Sequence, residues 1–185
     1  TATGDEFMVG PREPLGEWIE KSYGEHAAEY MKLVRYAAGS DNPDDLKRAA
    51  DFSTFNLANR LTAEILAEKG IGVYFSIFDP YIPGDGVGSF HSCDLWFEFE
   101  TLMRCWRPFD GHHYDLARKM CNYFANFART GDPNGNDADG TPMPKWEKYT
   151  TANRHGILFG DEIEMEEKTD PRMRFMLDVN LEMLG

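Results

Sequence analysis

The sequence predicts an α/β fold whose sheet is only partly encoded in this chain. Three observations carry that reading. A stretch from Ser53 or Thr54 to Lys69, with Phe55, Leu57, Ala58, Leu61, Ile65 and Leu66 in a broad apolar stripe, reads as a helix closed by Gly70. Directly after it, Ile71 to Phe78 is β-branched and aromatic, as a buried central strand requires. Helix, short link and strand make half of a parallel α/β unit. Only two later segments look like strands, too few for the helices to cover. Most of the sheet is therefore expected on sequence outside this chain, supplied by a missing amino-terminal portion or a second chain.

The remaining elements follow in order. Leu15, Trp18 and Ile19, then Ala27, Ala28, Met31, Leu33 and Val34 after a break at Gly24, give two short helices. Asp41-Asn42-Pro43-Asp44-Asp45 is a helix start, with a capping residue, proline at the first helical position and acids near the positive end of the dipole. Beyond the strand, Asp79 to Asp85 is rich in turn residues, and Gly86 to Phe99 carries His91. His112 to Arg129 reads as a helix with Leu116, Met120, Tyr123, Phe124 and Phe127 on one face. Thr130 to Gly135 stops it, inside a polar loop over 131–144. Gly156 to Phe159 and Glu162 to Glu166 read as short strands, the second alternating and placed at an edge, and Pro171 to Leu184 as a last helix. No internal repeat or separating linker appears, so residues 1–185 are taken as one segment of a single domain.

Composition narrows the function. The chain has 185 residues, a net charge of −13 and a pI near 4.7. Such a surface repels phosphate backbones and anionic lipid, which argues against nucleic-acid or membrane-surface binding. No run reaches 18 apolar residues, so no membrane span is expected. Thr1-Ala2-Thr3-Gly4-Asp5-Glu6 has neither an initiator Met nor a signal-peptide pattern, and reads as an internal start: a cut chain, a processed subunit or an excised piece. Cys93, Cys105 and Cys121 cannot all pair and lack metal-ligand spacing. A reducing, cytoplasmic setting suits them better than a secreted one, with one disulfide plus one free thiol left open.

Several motifs fail on their chemistry. His112-His113 lie beside Asp110 and Asp115, but adjacent histidines at a helix start rarely share one ion, so helix-start or solvent-facing roles are expected. Asp132 to Asp137 fails as a calcium loop, because Asp137 occupies the sharp-turn glycine position and Met143 that of the bidentate glutamate. Gly84 to Gly88 precedes no helix and has no lysine, so it is no phosphate cradle. A nucleophile is missing too. No serine stands in a Gly-x-Ser-x-Gly elbow, and Ser89, Ser92 and Cys93 are too near His91 in sequence to face it from another strand. His91, on a loop past the carboxyl end of a buried strand, stands where an α/β enzyme places a proton-transfer group.

Taken together, four blocks resemble one family. Gly88-Ser89-Phe90-His91-Ser92-Cys93-Asp94-Leu95-Trp96-Phe97-Glu98-Phe99 resembles the histidine block G-x-x-H-x-x-[DE]-L-x-[FY]-x-F of the type-B carboxylesterase/cholinesterase family. Asn122 to Asn134 resembles its W-x-N-F-A-x-T-G-x-P-N block. Pro144 to Thr150 with Ile157 to Gly160 resembles its closing segment, and Thr3-Gly4-Asp5-Glu6 the T-x-D-E-G block of its catalytic acid. The resemblance implies the carboxyl-terminal part of an α/β-hydrolase. It implies His91 as general base and acid, and Glu6 as the carboxylate orienting its ring, with Asp5 the runner-up. The serine and oxyanion donors would then come from an amino-terminal portion on another chain, and the substrate would be a small carboxylic ester. No cofactor and no metal are implied, and Trp96 and Phe97 are candidates for lining the ester site. Phe7 and Glu98 depart from the family pattern. The alternative is a catalytically inactive, cholinesterase-like binding or adhesion module.

Overall fold

The computed structural model describes residues 14–50, 54–86 and 88–184. In chain order the elements are helices α1 (Leu15–Tyr23), α2 (Ala27–Ala38), α3 (Pro43–Ala50) and α4 (Thr54–Glu68), strand β1 (Ser76–Phe78), helices α5 (Asp94–Glu98) and α6 (Gly111–Thr130), strands β2 (Ile157–Phe159) and β3 (Ile163–Met165), and helix α7 (Pro171–Leu184). Short 3-10 turns fill Gly24–His26 and Leu102–Arg104.

The helix ends follow local chemistry. Asn42 caps α3, its side-chain oxygen accepting from the Asp44 N–H at 2.9 Å. Helix α6 opens with a reciprocal cap: Asp110 accepts from the His112 N–H at 3.2 Å, and the His113 ring accepts from the Asp110 N–H at 3.2 Å. It closes at Gly131, whose φ of +76° lets its N–H reach the Phe127 carbonyl at 2.8 Å.

The described strands form one sheet in the order β1-β2-β3, with β1 parallel to β2 and β2 antiparallel to β3. The run Ile71 to Phe78 is therefore not a strand throughout. Only its last three residues pair with β2, because Val73 turns to a separate bridge with Tyr149. Nor is β1 central among the described residues, since β2 takes that place; β3 lies at the edge, as its alternation suggests. Gly156 admits β2 to this position. A Cβ there would lie 2.8 Å from the Phe75 carbonyl oxygen, which accepts from both Ile157 N–H and the Trp146 indole.

Strand alternation divides the packing. Phe78 joins Phe97, Leu116, Met120 and Phe159 beneath α6, while Phe75 and Ile77 face the other side with Ala63 of α4. Helices thus flank both faces of the small sheet. A further cluster, built on Ile19, Tyr30, Val34 and Met176, holds α1, α2 and α7 together. One sequence expectation needs correction at α4. Among its described side chains the buried positions are Arg60, Ala63 and Glu64, whereas Leu61, Ile65 and Leu66 are only half-buried.

Candidate active site

The candidate site is built where the chain leaves β1. The Asp79 N–H still bonds Phe159 at 2.9 Å, and then Pro80 turns the chain out of the sheet. Ser89, buried, donates its hydroxyl back to the Pro80 carbonyl at 2.9 Å, which brings the two ends of this excursion from the sheet together just before Phe90 and His91. His91 is exposed and begins the turn into α5. That turn is tight: the Phe90 N–H reaches Cys93 Sγ at 3.2 Å, the Cys93 N–H returns to the Phe90 carbonyl at 3.1 Å, and Ser92 takes a left-handed φ of +67°. Burial pushes the Cys93 thiol up to about 11, which keeps it protonated and unsuited to nucleophilic attack.

Aromatic rings back this turn. Phe90 meets Trp96 edge-on at 5.6 Å, Trp96 meets Phe109 at 6.2 Å, and Phe97 packs on Phe78 at 5.0 Å. Of the two residues named as candidates for the ester site, Trp96 is half-buried beside the turn. Phe97 has no exposed surface and belongs to the core, so it offers no face to a ligand. Glu6 and Asp5 lie outside the described residues. Glu98 is half-buried in α5, and burial raises its carboxyl above the usual range.

His113 is neither solvent-facing nor available as a ligand. Its ring is 2% exposed, with Nε2 donating to the Tyr81 carbonyl at 3.0 Å while Nδ1 serves the α6 cap. Asp110, His112 and His113 present atoms within 4.8 Å of one another, but both His113 nitrogens are committed, so the trio does not suit a metal ion. The effect of His113 is instead to tie α6 to the excursion that ends at His91. In the polar loop, Asp137 is buried, and Arg118 grips it at 2.9 Å through both Nε and Nη2. This guanidinium holds the Asp137 carboxyl down to about 2 and occupies the oxygens that calcium would need.

Sequence reasoning missed Arg107. Its side chain is 5% exposed, reaches both oxygens of Asp85 at 2.7 Å and donates to the Pro83 carbonyl at 2.9 Å. The only signal was a lone Arg before Pro108, with its acid 22 positions upstream.

A sheet clad by helices on both faces, with a histidine turn beyond a strand's carboxyl end, defines part of an α/β-hydrolase fold. The chain belongs to the carboxylesterase family, whose model matches residues 17–176. It is 52% identical over 167 residues to carboxylesterase 5A of Felis catus, covering 81% of this chain and 30% of that protein. It is 29% identical over 158 residues to acetylcholinesterase of Gallus gallus, covering 81% and 20%. Among solved structures, an esterase from Clostridium hathewayi, described as hydrolysing aliphatic aromatic polyesters, aligns with a TM-score of 0.62 at 20% identity, over 98% of this chain and 36% of that one. A carboxylesterase from Geobacillus stearothermophilus aligns at 0.61 and 24% identity, over 87% and 34%. These two share its fold. The chain thus spans about a third or less of the length of the curated relatives it matches. Among the described residues no helix is long and apolar enough to cross a membrane.

Proposed function

We propose that this chain serves a serine carboxylesterase, supplying the histidine and the carboxylate of its triad to a serine carried by an amino-terminal portion on another chain. The observation that carries the reading is the position of His91, exposed on a tight turn past the carboxyl end of β1, in a chain of the carboxylesterase family. Acyl transfer from an ester needs a nucleophile made basic enough to attack. His91 takes the serine proton as the tetrahedral intermediate forms, then returns it to the departing alcohol. Water repeats the cycle on the acyl-enzyme. Glu6 holds the imidazole in the tautomer that accepts the proton and stabilises the imidazolium. The 185 residues contain no Gly-x-Ser-x-Gly elbow, which is why the serine and its oxyanion donors are assigned to the amino-terminal portion.

The stretch after His91 supports an assembled site. Leu95 on α5, Phe99 just past its end, and Met103 and Trp106 beyond it all expose apolar surface, with Trp106 71% exposed. A face of this kind suits cover by a protein partner or contact with an ester's apolar groups. The test is His91→Ala in the complete enzyme with p-nitrophenyl butyrate. Turnover should fall by roughly four to six powers of ten, as when triad members are removed. Parental turnover would reject the role.

A further inference from the structure

The geometry points to Arg107 as a positioning residue for His91, an inference that rests on the catalytic role proposed above for that histidine. Arg107 stands just ahead of α6, and Pro83, Asp85 and Phe90 of the excursion meet its guanidinium. Three contacts are made in sequence along that excursion. Nη1 donates to the Pro83 carbonyl at 2.9 Å, Nη1 and Nη2 grip the two Asp85 oxygens at 2.7 Å, and Cζ lies 5.1 Å from the centre of the Phe90 ring. The next residue is His91.

The excursion closes on this post with little slack. Gly84 passes so near that a Cβ would lie 3.0 Å from the Trp106 ring and 3.3 Å from Arg107 Nη1, at a φ of +123° where a side chain is strained. Trp106 in turn stacks on the guanidinium, 4.9 Å from Cζ. A buried guanidinium is a poor choice if the aim is stability alone, since an apolar side chain of similar volume fills such a place without desolvating a charge. Here the cost is higher still, because the buried Nε–H has no hydrogen-bond partner among the described residues. What the arginine gains over an apolar filler is direction. A planar fork fixes Asp85 in two bonds at once, and the ring of Phe90 is held against its face, so the backbone entering His91 has one orientation. Arg107 acts through Asp85 and Phe90.

The test uses the complete enzyme, with kcat expressed per serine labelled to completion by a fluorophosphonate, so that misfolded molecules are not counted. Arg107→Met should lower per-site kcat by about 10- to 100-fold with KM within about twofold, the signature of a misdirected base. Arg107→Lys should fall between, keeping charge without the fork. Asp85→Asn should lower per-site kcat in the same direction by a smaller factor, and adding it to Arg107→Met should cost little more. A per-site kcat for Arg107→Met within about twofold of the parent, or a loss confined to KM, overturns the inference. If Arg107→Met yields no folded enzyme, Asp85→Asn decides, and a parental per-site kcat for it overturns the inference equally. His91→Ala run alongside, with its turnover expressed per folded molecule because labelling of the serine needs the same base, separates the two ideas. Loss there with none in the Arg107 and Asp85 variants removes only the positioning role, whereas parental turnover there removes the catalytic reading beneath it.

Discussion

Two arginines lie buried against aromatic rings on opposite sides of the sheet, and they are held differently. Arg60 of α4 has its guanidinium 4.5 Å from the centre of the Phe75 ring, with every nitrogen occupied: Nε by Asn56, Nη1 by the Arg154 carbonyl, Nη2 by Glu166 at 2.7 Å. Glu64, one turn further along α4, accepts from Arg154 and from the Tyr149 hydroxyl. These bonds join α4 to the residue just past β3 and to the segments ahead of β2. Arg107, by contrast, leaves Nε unmatched and grips a loop. The comparison teaches that one residue type serves two ends. Where satisfaction is complete, the arginine fastens elements of the fold; where it is incomplete, the arginine holds the loop that leads to His91, the histidine proposed as the base.

That contrast can be broken first at Arg60. Replacing it with Met leaves the half-buried Glu166 without its cation. The cost should be about 2–4 kcal/mol, below the penalty for a fully buried pair because Glu166 keeps some solvent, read as a lower urea midpoint of the complete enzyme. Turnover per labelled serine should stay within about twofold of the parent, because distant sites act independently. A large loss of per-site kcat with unchanged stability would erase the distinction between the two arginines.

A smaller effect should appear at Asp137, whose carboxyl is held down to about 2 by Arg118. A folded value below the unfolded one, about 3.9, means that the stabilisation is complete above pH 5 and fades as pH falls through 4 toward 2. It amounts to about 2 kcal/mol before allowing for the partial exposure of Arg118, which reduces it. Asp137→Asn should lower stability at pH 7 and flatten its dependence on pH between 5 and 2. An unchanged slope would remove the Arg118–Asp137 pair from the acid response.

Much of this was legible in the residues. His91 stood out because a histidine inside an aromatic block follows a strand-like run, and α6 because Leu116, Met120, Tyr123 and Phe127 repeat at helical spacing. Pro43 and Gly131 marked their helix ends through backbone geometry alone. Arg60 and Glu64 were hidden, since opposite charges four apart on a helix read as a solvated face, and only the approach of Glu166 and Arg154 from distant sequence buries them. Helix α5 was hidden as well, its five residues being too few to show a period. The overlong strand had a similar cause: Ile71 to Phe78 has strand composition throughout, but pairing depends on the partner, and β2 offers three residues between Gly156 and Gly160.

The central claim is that the imidazole of this chain serves a serine beyond it. The most direct measurement is a crystal structure of the complete enzyme with that serine phosphonylated. His91 Nε2 is expected about 3 Å from the serine oxygen, with a carboxylate from the segment holding Glu6 at the other ring nitrogen. A labelled serine with the His91 ring beyond about 7 Å, and another base beside it, would contradict the claim.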